Sequence, residues 1–361
     1  VIEPGYHKLF LDRYQTQVEY SSTDRVAFYR LRHDTAADPK LLLLDEPAAG
    51  MDFTGEADMY HFLERYQREH QATILMITHN PDAAAFADRT VHMLDGRMTA
   101  FDHHFVSFGR NGQPISGAGI PRDHYPAGLV PNFRLRQSLI ESRVPTGPWR
   151  SPGHSAFCWA YQSFFDEVAL AAGRDQLEFR LDLLSRSFGE PPLDLERTSG
   201  TLREAAEKAG WGRNPGPNRG LGMAFHFDHG GFVSHVAEVS ADRNRVRVEK
   251  VWSGIDIGPV INLSGARNQV EGCVVDALST AQLEITFAGG AAEQGNFDDY
   301  GLLRISQAPE IECHFLQTDN PPSGLGEPPI APATPAITNA IFAATGTRIR
   351  TLPMRRSGIV V

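Results

Sequence analysis

The pattern of apolar and polar positions marks most of the elements of this chain. Short apolar strings at residues 6–11 and 26–29 predict strands with no chemistry attached. Four leucines, Leu41 to Leu44, run into Asp45-Glu46-Pro47 and then Gly50-Met51-Asp52. An apolar run ending in two acids predicts a buried parallel strand that delivers carboxylates at its C-terminal edge. A helical stretch over about residues 56–70 separates it from a second apolar strand at 73–77, which ends in Thr78-His79-Asn80, so one βαβ-like unit is expected. Near residues 95–100 the composition turns to Gly, Pro and aromatic residues, which sets a boundary. Residues 103–108 and 133–136 then read as strands. Residues 155–172 predict a helix that buries Phe157, Phe164, Phe165, Val168 and Ala172 and stops at Gly173. Asp175 with Glu178 forms a capping-box-like start for the next helix, through Leu177, Leu181 and Leu184. A short helix at 202–209 follows. Alternation at 222–226, 233–239 and 245–251 predicts a meander packed on helices, and 283–287, 296–300 and 311–315 continue the pattern. The last helix, 335–346, is built of small residues, with Ile337, Ile341 and Ala344 on one face and Gly346 as its stop.

Three irregular stretches between these elements hold the candidate chemistry. In Pro322-Ser-Gly-Leu-Gly-Glu-Pro-Pro-Ile330, Gly324 and Gly326 are expected to allow turns that a residue with a Cβ cannot easily take. Pro328 and Pro329 stiffen the exit, so Glu327 is presented at the tip of a rigid loop. Trp149 and Arg150 lie among Pro145, Gly147, Pro148, Pro152 and Gly153, a stiff path suited to close approach to a ligand. Gly254 to Asn262 leads into Gly265-Ala-Arg-Asn-Gln-Val-Glu-Gly272, a helix start carrying Gln269. The neighbouring His103 and His104 point to opposite faces of a strand and do not converge on a metal.

Composition narrows the classes. The chain has 361 residues, enough for two or three domains, and a net charge of −10, which argues against nucleic-acid or anionic-membrane surfaces. Cys158, Cys273 and Cys313 are isolated, so no disulfide framework or cysteine-ligated metal is indicated, and three thiols cannot hold iron–sulfur clusters that need about four ligands each. No apolar run approaches the roughly 18 residues of a membrane helix, so no membrane insertion is expected. The start Val1-Ile-Glu-Pro lacks signal-peptide regions, which favours a cytoplasmic location and leaves a periplasmic one open.

The segments around Trp149-Arg150, Gln269 and Gly326-Glu327-Pro328-Pro329, in this order, resemble the molybdenum hydroxylases, the xanthine dehydrogenase family, and most closely large subunits of the isoquinoline 1-oxidoreductase type. The resemblance covers about residues 98–361 and implies an α+β fold, a molybdopterin-binding domain of mixed sheets and helices. It implies a molybdenum-molybdopterin cofactor, with the cytosine dinucleotide form left open, and an oxidoreductase that hydroxylates an N-heterocycle or aldehyde with water as oxygen source. Glu327 would be the general base, lying among apolar neighbours. Arg150, Gln269 and Gly326 would bind the cofactor, with Gln269 at the start of its helix beside free amides. Trp149 would wall the substrate pocket. No side chain would ligate the metal directly, and electrons would leave through an iron–sulfur partner subunit. Where family members often have Gly-Phe-Gly after the arginine, this chain has Ser151-Pro-Gly153.

Residues 39–97 resemble the second half of an ABC-transporter ATP-binding domain, a small α/β segment, with residues 1–38 unassigned. That resemblance makes Asp45 the Walker B carboxylate, Glu46 the base, Asp52 the D-loop acid and His79 the switch histidine. The phosphate-cradling G-x-x-x-x-G-K-[ST] loop is absent from the sequence, and no glycine occurs between Gly5 and Gly50 to form a signature loop. Two alternatives therefore stand beside the oxidoreductase: an ATP-binding, ATP-hydrolysing ABC-type protein, and a truncated, catalytically incomplete chimera.

Overall fold

In the computed structural model, residues 98–120 and 124–361 are described in full; before residue 98 the description covers strand backbones and His61, Leu63 and Arg65. The chain forms two units, Val1–Thr90 and Val91–Val361. In the first, β1 (Tyr6–Leu11), β2 (Thr16–Ser22) and β3 (Ala27–His33) make an antiparallel sheet, and β4 (Leu41–Asp45) pairs in parallel with β5 (Thr73–Ile77). Asp45 pairs with Ile77, so the leucine strand ends in its acid as its pattern predicts. His61, Leu63 and Arg65 are helical, inside the stretch expected to be a helix. Glu46, Asp52 and His79 lie outside the described residues.

A sheet of β6 (Arg89–Leu94), β7 (Arg97–Arg110), β8 (Gln113–Pro114) and β9 (Asn132–Glu141) follows, all but its first two residues in the second unit. β7 and β9 run parallel, and β9 alternates between exposed and half-buried positions. The two adjacent histidines face opposite ways: His103 is buried and stacks on Phe157, while His104 bonds Ser138 at 2.8 Å.

Helices α1 (His154–Ala171) and α2 (Gln176–Leu184) follow, the second capped by the Asp175 carboxylate, which accepts from the amides of Leu177 and Glu178. α3 (Leu195–Ala209) starts seven residues earlier than its apolar pattern suggests, because Asp194 caps it and Glu196 suits its first turn.

The centre of the unit is a sheet of β10 (Arg219–Asp228), β11 (Gly231–Asp242) and β12 (Arg245–Asp256), antiparallel to one another, then, beyond α4 (Leu263–Thr280) and the two-residue strands β13 (Phe287–Ala288) and β14 (Ala291–Ala292), β15 (Glu310–Phe315), which pairs in parallel with β12. Residues 296–300 form turns, not a strand. The last helix, α5 (Ile330–Thr345), begins five residues before the expected start: Pro332 falls in its first turn, where a missing N–H costs little.

The central sheet is covered on both faces. Ser234 and His235 are neighbours on β11 and point oppositely; Ser234 bonds Thr201 of α3 at 2.9 Å, and His235 bonds the carbonyl of Pro329, the residue before α5, at 2.8 Å. Both helices approach the sheet at glycines. A Cβ on Gly254 would lie 2.1 Å from the carbonyl oxygen of Thr201, and a Cβ on Gly222 would lie 2.1 Å from the amide nitrogen of Ala340. The alternating strands therefore bury most side chains on both faces, and the loop before α5 leads into a helix whose N-terminal half is almost wholly buried.

Candidate functional site

Three of the four sequence candidates other than the acid itself meet in one hydrogen-bonded cluster. The Arg150 guanidinium donates from Nε to the Gly326 carbonyl, from Nη1 to Asp276 Oδ2 at 2.7 Å, and from Nη2 to Gln269 Oε1 at 2.7 Å. One fork of donors thus ties the stiff loop at residue 150, helix α4 and the Glu327 loop together. Its oxygen engaged, the Gln269 amide lies on an exposed residue, and no hydrogen bond of its N–H2 group occurs among the described residues.

The reasons behind the cluster differ from the sequence expectation at three points. Gly324 and Gly326 do not take positive φ angles, and a Cβ on Gly324 would meet nothing within 4 Å. The loop is shaped instead by its bonds: Arg150 and the Cys273 thiol, at 3.5 Å, both donate to the Gly326 carbonyl, and His235 holds the Pro329 carbonyl. Gln269 lies in the second turn of α4, not at its start, and the Asn262 side chain already caps that start by accepting from the Gly265 amide. Glu327 is not enclosed by apolar groups. Its side chain is 37 % exposed, and its Oε2 atom lies 3.5 Å from Nδ1 of His229. That oxygen is itself buried and accepts no hydrogen bond among the described residues.

Trp149 is half exposed, and neither of two surface cavities, of about 340 and 450 Å³, has it or Glu327 in its lining. Ser151 takes a φ of 51°, a left-handed conformation that costs a non-glycine residue about 1 kcal/mol. Its hydroxyl donates to Asp228 Oδ2 at 2.6 Å, which offsets that strain and explains how serine occupies a position where glycine fits most easily.

Asp228 and His229, which periodicity did not single out, complete the surroundings. They sit at the β10–β11 turn, where His229 and Gly230 have φ values of 49° and 79°. The only signal for them in the sequence was the turn composition Asp228-His-Gly-Gly231. Behind Asp228 runs a chain of rings from the partly buried His154 to the buried His226 at 2.9 Å and on to the buried Tyr161 at 2.7 Å. Burial, and then the neighbouring His154, hold the His226 imidazole well below its usual range and so neutral.

His235 fixes the loop and gives it a pH dependence. The Pro329 carbonyl can only accept, so His235 Nε2 carries the proton and Nδ1 accepts from the Ser253 hydroxyl at 2.9 Å. Burial pushes its pKa down from 6.5 to about 4. The folded state therefore holds this ring neutral. Its contribution to stability is full above pH 6.5 and is lost as pH falls towards 4, at most about 3 kcal/mol across that window. Urea midpoints taken at pH 7 and pH 5 are expected to fall for the parent chain, and less for His235→Gln, which cannot titrate. An unchanged pH slope in the variant removes His235 as the sensor.

Residues 176–309 match the family model described as molybdopterin cofactor-binding domain. This part of the chain is similar to the molybdopterin-binding subunits of the molybdenum hydroxylases of the xanthine dehydrogenase type. It is 34 % identical over 275 residues to a membrane-bound aldehyde dehydrogenase [pyrroloquinoline-quinone] of Gluconacetobacter polyoxogenes, covering 71 % of this chain and 35 % of that protein. It is 32 % identical over 232 residues to isoquinoline 1-oxidoreductase subunit beta of Brevundimonas diminuta, covering 63 % of this chain and 29 % of that one. The chain thus spans about a third of the length of these relatives. Its fold is similar to that of quinoline 2-oxidoreductase from Pseudomonas putida 86, with TM-score 0.59 and 13 % identity over 72 % of this chain and 59 % of that one. A 93-residue match, 34 % identical, to the lipoprotein-releasing system ATP-binding protein LolD 2 of Chlorobaculum tepidum covers 26 % of this chain and 36 % of that protein, and accounts for the ABC-like character.

Proposed function

We propose that this chain is the cofactor-binding, base-supplying part of an oxidoreductase that hydroxylates an N-heterocycle or an aldehyde, taking the oxygen from water. The observation that carries the reading is the Arg150 fork, which gathers Gln269 and Gly326 beside Glu327 from three distant segments. The chain's residues suit a molybdopterin: the Gln269 amide offers two donors at an open face, and the adjacent Glu327 keeps an acceptor oxygen unused. When bound, the molybdenum cofactor would supply the redox chemistry, taking two electrons from the substrate carbon.

The chain's own part is positional and protonic. Arg150, bonded to Gly326, Asp276 and Gln269, orients Gln269 and clamps the carbonyl next to Glu327, and with them would line the cofactor site. Glu327 removes a proton from the water-derived oxygen as it attacks, which its unbonded Oε2 is free to do. Electrons pass to an iron–sulfur partner subunit, since Cys158, Cys273 and Cys313 are separate from one another and burial pushes the Cys273 thiol up to about 12. The relatives named as an isoquinoline oxidoreductase and an aldehyde dehydrogenase support the two substrate classes.

The test is metal and pterin analysis of the chain produced together with its iron–sulfur partner in cells that make the cofactor. Molybdenum and pterin in a 1:1 ratio with the chain are expected, and a loss of about tenfold or more in both for Arg150→Ala, which frees Gln269 and the Gly326 carbonyl together. A parent chain without either component defeats the reading. The same preparation is expected not to bind Mg-ATP at millimolar concentration, because nothing in its sequence forms a phosphate-cradling loop.

A further inference from the structure

We propose that Asp228, His229 and Glu327 form a binding site for a divalent transition-metal cation of the zinc class, held by side chains of this chain alone. One ligand atom from each residue lies within 4.8 Å of the other two. Asp228 Oδ1 is 2.6 Å from His229 Nδ1, and His229 Nδ1 is 3.5 Å from Glu327 Oε2. Ligands about 2.1 Å from a tetrahedral zinc stand roughly 3.4 Å apart. The second distance already fits, and the first needs only a small outward swing of His229, whose side chain is exposed.

The charge at this point is unbalanced. Two carboxylates converge, and the basic groups paired with them among the described residues are imidazoles, His154 at 3.6 Å from Asp228 and His229 between the two acids. The shared nitrogen has one proton to give and lies closer to Asp228, so Glu327 Oε2 is left buried with no hydrogen bond among the described residues. A cation between the three atoms would satisfy that oxygen and neutralise both acids, which one imidazole proton cannot do.

The geometry is built before any cation arrives. Adjacent residues of a strand diverge, but the turn at His229 and Gly230, with both φ values positive, folds the imidazole back over the preceding Asp228. Asp228 is almost fully buried and fixed by the Ser151 hydroxyl, the kind of support that metal-ligating carboxylates use. Hairpin and loop are packed so closely that a Cβ on Gly231 would lie 2.9 Å from Pro328 Cγ. Imidazole nitrogen with carboxylate oxygens suits zinc and its neighbours, and three protein ligands leave a position for water.

The site goes beyond the hydroxylase reading and does not depend on it; bound zinc would withhold the Glu327 oxygen from base work. The experiment is calorimetric titration of the chelator-treated full chain with Zn²⁺, together with absorption spectra on adding Co²⁺. One cation per chain is expected. His229→Gly keeps the left-handed backbone and removes one ligand; Glu327→Gln alters a side chain with no hydrogen bond among the described residues. Each is expected to weaken binding by at least roughly 100-fold, the upper end of what loss of a mere supporting contact costs. No stoichiometric binding overturns the proposal, as does binding that Glu327→Gln and a folded His229→Gly both retain, which would place the cation on others of the 14 histidines. Molybdenum content of the same samples does not enter the readout, so the two readings can fail separately.

Discussion

Replacing Gly222 by alanine is expected to lower the stability of the second unit by about 3 kcal/mol or more, and replacing it by valine to prevent folding. The added Cβ would lie 2.1 Å from the Ala340 amide nitrogen and 2.4 Å from the Ala336 carbonyl oxygen. Both are backbone atoms of α5 and cannot rotate away, so the helix itself must lift from the sheet. That opens the packing around Ala333, Ile337 and Ile341, all buried between sheet and helix, and shifts the loop that carries Glu327. Urea unfolding followed by circular dichroism measures it, as a fall in midpoint at constant slope. Gly324→Ala is the control. Its Cβ would meet nothing within 4 Å, so a change within about 0.5 kcal/mol is expected. Equal effects at the two glycines would show that contact with α5 is not what selects glycine at 222.

Glu327→Gln is expected to reduce the rate of the proposed hydroxylation by about 10²- to 10⁴-fold, the usual contribution of a general base. Its effect should fall on kcat rather than KM, since a neutral amide of the same shape can still contact substrate but cannot take the proton. Molybdenum and pterin contents should stay at the parent level, because among the described residues the Glu327 side chain makes no hydrogen bond that holds the loop; Arg150, Cys273 and His235 do that through the carbonyls of Gly326 and Pro329. The measurement is steady-state kinetics with an N-heterocycle and an aldehyde at matched molybdenum content. A variant with a rate within tenfold of the parent would remove Glu327 from the base role.

Much of the scaffold was legible because its signals are local. Asp175 and Gly346 end helices through bonds within one turn of themselves, and the α1 and β10–β12 patterns follow from which side chains avoid water. Where reading fell short, the deciding contact was remote. The start of α5 was hidden by two prolines, tolerated because one sits in the first turn and the whole N-terminal half is buried against the sheet. The reason for glycine at 222 is invisible in the strand, since it lies on a helix more than 100 residues away. Conversely, Gly324 and Gly326 looked like turn glycines and are not.

By itself the sequence determined which loops are stiff and which residues they present: Arg150, Gln269 and Glu327 each stood out among Gly, Pro or a helix start. Only the tertiary structure decided that one guanidinium joins these segments and that Gln269 acts from the second turn of its helix. It also placed Glu327 beside Asp228 and His229 rather than in an apolar pocket. The physical reason is that stiffness and turn chemistry are properties of neighbours in the chain, whereas the partner of a donor or a carboxylate is set by how helices and sheet pack, and that packing here turns on glycines whose contacts are all long-range.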